Sequence, residues 1–183
     1  MNIVNTFSLQ SNRQIKINFD GGDLSSDAGL LLIKEFAAKI GFTKLIKKKF
    51  KTNDKSVRFH KDDENLLQMI YQVISAYFQD DHADELALDP VFQTILDKER
   101  LASQPTLSRF FNRMDEDTLI QFDDIDKNLR DIIYSIKRPE HVLLDLDSTL
   151  FGTYGKQEGE GFNFHYQAHG YHPLLCYDGL TGD

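Results

Sequence analysis

A chain of 183 residues with 40% hydrophobic and 11% aromatic content can bury a core without staples, which excludes a disordered polypeptide. Its single cysteine, Cys176, excludes an internal disulfide scaffold and fits a reducing compartment, and no apolar run reaches the length of a membrane span. A net charge of −8 excludes a wholly basic nucleic-acid coat, but that average conceals a local reversal.

Along Gln14–Asp20, Ile15, Ile17 and Phe19 alternate with polar neighbours, predicting a short strand that Gly21 and Gly22 end. Ser25 or Ser26 then caps a predicted helix running to about Ile40, with Leu30, Ile33, Ala37 and Ile40 on one stripe and Gly41 at the stop. The next stretch carries eight bases, Lys44, Lys47, Lys48, Lys49, Lys51, Lys55, Arg58 and Lys61, against the one acid Asp54, with Phe50 and Phe59 interleaved. Such a run reads either as a solvated loop or as a surface that neutralises DNA phosphates and releases counterions.

Beyond it the balance turns acidic as far as Asp131. Asp62, Asp63 and Glu64 put negative charge at the start of a second helix, Asn65–Phe78. Its stripe of Leu66, Ile70, Val73 and Tyr77, widened by Leu67, Ile74 and Phe78, predicts a mostly buried element. Asp89-Pro90 opens a helix through Leu96, and Ser103-Gln104-Pro105 repeats the device. The helix that follows buries Leu107, Phe110, Phe111 and Met114. Its other face, Thr106, Ser108, Arg109, Asn112 and Arg113, is either an ordinary wet face or one suited to phosphate and base-edge contacts. A longer helix spans Glu116–Tyr134, and Lys137-Arg138-Pro139 marks a boundary between a mainly helical region over 1–138 and a strand-rich region over 139–183.

After Pro139 the period falls to two. His141–Asp147 is a near-continuous apolar run, as for a central strand covered on both faces, and Phe162–His169 alternates as a further strand. Gly152–Gly161 reads as a flexible connection, Tyr171–Tyr177 as a strand and Asp178-Gly179 as a turn. His165, His169 and His172 lack metal-ligand spacing and read as solvated, while Cys176 reads as a small core residue.

Asp145 and Asp147 stand two apart on the apolar strand and so share a face. A pair of acids there is costly unless water, a base or a metal compensates it. Two chemistries want the arrangement. Asp145-Leu146-Asp147-Ser148-Thr149-Leu150 looks like the first motif of haloacid-dehalogenase-type phosphohydrolases, in which an aspartate accepts a phosphoryl group. Only Ser148–Asp183 follows, too little for the rest of that core. The other chemistry is two-metal phosphodiester cleavage, in which a strand aspartate bridges two Mg²⁺ ions about 4 Å apart.

Four segments carry a wider resemblance: LSSDAGLLLIKEF (24–36), YFQDDHADELALDPVF (77–92), LASQPTLSRFFNRM (101–114) and LLDLDST…YGKQEG…GYHPLLCYDGLTGD (143–183). Together they resemble the N-terminal part of bacterial insertion-sequence transposases of the DDE type, DDE domain group one. The resemblance implies an α+β chain: a mainly helical DNA-recognition region, then the first strands of an incomplete ribonuclease-H-like α/β domain. It implies DNA strand cleavage and transfer at transposon ends with Mg²⁺, in the bacterial cytoplasm at the nucleoid, with no membrane partner. It places the first catalytic acid in the Asp-x-Asp-Ser-Thr strand, at Asp147 as catalytic residue and metal ligand, with Asp145 as second choice. On this reading Lys47, Lys48, Lys49, Lys51, Arg58, Arg109 and Arg113 contact DNA. Such transposases are longer, and their second Asp and their Glu lie beyond the segments matched here. Asp178 and Asp183 stand in turn contexts that suit neither role. The expectation is therefore a truncated copy, inactive alone, that persists as a DNA-binding remnant or joins itself or a full-length transposase as a regulator.

Overall fold

The computed structural model describes residues 6–19 and 25–182. The predicted stop at Gly21 and Gly22, and Asp183, lie outside the described residues. The chain is α+β, and its contacts divide it into two compact units, Met1–Ile132 and Ile133–Asp183.

In the first unit β1 (Thr6–Ser8) pairs antiparallel with β2 (Lys16–Asn18). The alternation seen in the sequence puts Ile15 and Ile17 against the core, while Phe19 is exposed. Helix α1 (Leu30–Lys39) starts later than Ser25 or Ser26, after a run of turns, and buries Leu30, Leu31 and Ala37 rather than Ile33. Its orientation is set by packing on α5 (Pro90–Leu96), where Lys34 Nζ donates to the Thr94 carbonyl and to Asp97 Oδ1, both at 2.7 Å.

Gly41, at φ 75°, turns the chain directly into α2 (Phe42–Lys49), a helix the basic run concealed. Asp89 caps α5 by accepting from the Phe92 amide at 2.9 Å, as Asp-Pro predicts. Helix α3 (Asp62–Ile74) buries Leu66, Leu67 and Tyr71 together with Asn65, Gln68 and Gln72. Gln68 exchanges two 2.8 Å bonds with the Ala102 backbone, so a polar side chain occupies a core position at little cost. That rotation leaves Val73, Ile74 and Phe78 exposed, which corrects the expected stripe, and the helix stops before Ala76, at φ 65°. Helix α4 (His82–Glu85), α6 (Gln104–Phe111) and α7 (Glu116–Ile136) follow. One core cluster joins Leu9, Leu30, Tyr71, Phe92 and Ile95; another joins Ile46, Phe50, Leu66, Phe110 and Ile125.

From Ile133 onward no described apolar side chain is buried. Strand β3 (Leu144–Ser148) pairs antiparallel with β7 (Leu174–Asp178). Between them β4 (Phe151–Gly152), β5 (Gly161–Asn163) and β6 (Ala168–Tyr171) form their own sheet, in the order β4-β6-β5. Phe162–His169 is thus a hairpin rather than one strand. Asn163 Oδ1 accepts from the amides of His165 (2.8 Å) and Tyr166 (3.3 Å), which folds the chain back before β6. The predicted double covering of the apolar strand is also not met: Leu144 is 65% and Leu146 59% exposed, and among the described residues β7 is the only strand paired with β3. Cys176 is likewise exposed, not buried as expected.

Gly170 is buried on β6, where an added Cβ would lie 2.3 Å from the Phe151 carbonyl oxygen. Gly170→Ala should therefore cost about 1–3 kcal/mol of local stability and break the β4–β6 pairing. Limited proteolysis checks this: cutting between Leu150 and Pro173 should accelerate, while melting of the first unit stays unchanged.

Candidate functional site

The apolar positions Phe42, Leu45 and Ile46 turn α2 onto the core, so Lys44, Lys47 and Lys48 project from its opposite face. Lys47, Lys48 and Lys51 are exposed and enter no ion pair among the described residues. Lys49 differs. It is half-buried and donates to Asp124 Oδ2 at 2.5 Å, so its charge is already balanced.

The three predicted arginines converge on one hollow of about 590 Å³, and two of them, Arg58 and Arg113, share a carboxylate. Arg58 comes from the loop before α3, and Arg109 and Arg113 come from the last turns of α6 and just beyond it. Their organiser is Asp62, which the sequence showed only as an acid in a helix's first turn. Its carboxylate accepts from the Thr52 amide (3.1 Å), the Thr52 hydroxyl (2.6 Å) and Arg113 (2.8 Å), with Arg58 at 3.7 Å. Burial pushes the Asp62 carboxyl up, but the Thr52 and Arg113 bonds outweigh it and hold the group below its ordinary range.

Arg58 also pairs with Asp54, whose carboxyl falls to about 2, first through the bonds from Ser56 and then through Arg58 itself. Arg113 donates back to the Arg109 carbonyl at 2.9 Å and lies over the Phe110 ring. Arg109 is exposed, touches Thr106 Oγ1 at 3.4 Å, and has no carboxylate partner among the described residues. Of the seven predicted DNA-contacting cations, Lys47, Lys48, Lys51 and Arg109 thus stand unneutralised, while Lys49, Arg58 and Arg113 are held by Asp124, Asp54 and Asp62.

In the second unit Asp145 lies opposite Tyr177 and Asp147 opposite Leu175 in the β3–β7 register. The two carboxylates share a face and are both exposed, at a strand that meets water. Asp178 belongs to the turn: it is buried, and it accepts from the amides of Leu143 and Leu180, both at 3.1 Å, and from the Thr181 hydroxyl at 3.0 Å. The Leu180 and Leu143 amides hold its carboxyl below the usual range. His169 meets Glu160 at 2.9 Å, and His172 stacks on Tyr166. Among the described residues no three His, Cys, Asp or Glu side chains are grouped to hold a metal ion.

No curated protein and no solved structure matches this chain. An acidic pair on an antiparallel strand, preceded by a helical unit with unneutralised cations, agrees with one family whose pattern runs through both units, over residues 7–183. The chain belongs to the family described as transposase DDE domain group 1.

Proposed function

We propose that the helical unit binds DNA at transposon ends, and that β3 is the first strand of a ribonuclease-H-like sheet that brings Asp147, backed by Asp145, to the scissile phosphate. The observation that carries this reading is the shared face of Asp145 and Asp147 on β3, antiparallel to β7, within a chain matched over 7–183. Antiparallel pairing also favours it over the phosphohydrolase alternative, which needs a parallel core. Lys47, Lys48, Lys51 and Arg109 supply free charge to phosphates, while Arg58 and Arg113 shape the surface around them. No helix of the described residues is long and apolar enough to cross a membrane, in keeping with action on DNA at the nucleoid.

Transposases of this family use a divalent metal, and Mg²⁺ is the cation that hard carboxylate oxygens take. The residues described do not fit a complete site, since no third ligand joins Asp145 and Asp147. The polypeptide by itself is therefore expected to bind DNA without cutting it. The exposed apolar side chains of β3 and β7, Leu144, Leu146 and Leu174, favour a second role as a regulator that associates with itself or with another transposase chain.

Footprinting on the terminal inverted repeats tests the reading. Protection of those ends is expected, unchanged by Asp147→Asn and accompanied by no strand cleavage in Mg²⁺. Absence of any protected end, or turnover of para-nitrophenyl phosphate lost in Asp145→Asn, would replace it with a phosphohydrolase or an inert remnant.

A further inference from the structure

Phe59 is 79% exposed, yet it is not a loose side chain. The His60 ring meets it edge-on at 4.8 Å, and Lys98 Nζ lies 5.6 Å from its centroid. Lys98 is itself fixed by Glu64 at 2.5 Å and lies 3.2 Å from His60 Nδ1. Two interactions thus prop an apolar ring in water on the wall of the hollow, which Arg58, His60, Thr106, Arg109 and Arg113 also line, together with Asp54, whose charge Arg58 balances. Core packing does not explain the arrangement, because the ring belongs to no buried cluster. A preset aromatic surface next to guanidinium groups and a hydroxyl is the chemistry that receives a nucleotide: a π-face for the base and donors for its phosphate.

We propose that this hollow holds an unstacked nucleotide of single-stranded DNA, with its base on Phe59 and its phosphate on Arg109 and Arg58. The site deepens the DNA-binding reading above and rests on it. An undistorted duplex offers the ring only base edges, whereas a frayed or single-stranded end offers a face. The hollow's volume, about 590 Å³, suits one nucleotide rather than a helix groove. Arg109, which has no carboxylate partner among the described residues, is the primary phosphate contact; Arg58 must share its charge with Asp54 and Asp62.

Fluorescence anisotropy on the full chain separates the possibilities, with a single strand of about 12 nucleotides and the matching duplex as probes. Phe59→Ala should weaken the single strand by about 5- to 150-fold and leave the duplex within about twofold, since stacking is lost but phosphate contacts remain. Phe59→Tyr should restore single-strand binding, and 2-aminopurine in that strand should change its emission with the unaltered chain but not with Phe59→Ala. Equal loss on both probes, or no loss on the single strand, would overturn the nucleotide seat while leaving DNA binding intact. Binding of neither probe by the unaltered chain would overturn the DNA reading, and this site with it.

Discussion

Replacing Lys47, Lys48 and Lys51 together with glutamine is expected to lower duplex affinity by about 10- to 100-fold at moderate salt and to flatten the plot of log K against log salt by about 2.7. The value follows from three phosphate contacts, each releasing about 0.9 counterion. These three lysines are exposed and unpaired among the described residues, so their whole charge is available to phosphates. Lys49→Gln is the internal control. Its ammonium already rests on Asp124, so its loss should change the slope little, and the Asp124 carboxyl should rise from the lowered value that the Lys49 bond now maintains. The loss should be similar on all sequences, because phosphates carry none. A slope unaltered in the triple variant across a salt series would remove α2 from the DNA surface.

The second large effect is one of stability. Asp62→Ala should destabilise the first unit by about 2–4 kcal/mol, because it removes three hydrogen bonds and strands Arg113 without its carboxylate in a site where the guanidinium is largely buried. A double-mutant cycle locates the effect: Asp62→Ala with Arg113→Met should cost clearly less than the sum of the single changes. The pH dependence has a definite sign. The folded Asp62 carboxyl titrates below its unfolded value, near 3.9, so its contribution is complete above that value and disappears as pH falls through the lower folded one. Urea melts should therefore show the wild type losing stability in acid more steeply than the Asp62→Ala chain. Parallel curves from neutral pH down to acid would show that the network contributes nothing. Because the same carboxylate positions Arg113 beside Arg109, the variant should also weaken DNA binding even at temperatures where it remains folded.

Elements with local punctuation were readable from residues alone. Asp89-Pro90 and Ser103-Gln104-Pro105 start their helices where the chain chemistry says, and Asp178-Gly179 turns where expected, because caps and turns draw on neighbours within three or four residues. Elements that depend on distant partners were not. The α2 helix hid among lysines because its apolar signal, Phe42, Leu45 and Ile46, is only one turn long and counts only once a core exists to receive it. The rotation of α3 depended on Gln68 finding the Ala102 backbone 34 residues away. The hairpin inside Phe162–His169 was masked by perfect alternation, although Asn163 carried the signal for it.

The sequence offered the candidate cations and both strand carboxylates, and it determined the family through motifs spread over the whole match. Residue type and spacing are enough for that, since they set which chemistry is possible and which side chains share a strand face. What only the tertiary structure decided is which charges are free. Whether a guanidinium faces water or a carboxylate depends on elements far apart in the chain, and a few ångströms separate Arg109, unneutralised, from Arg113, held by Asp62. Electrostatic neutralisation falls off over such distances, so partner choice belongs to the fold and not to composition.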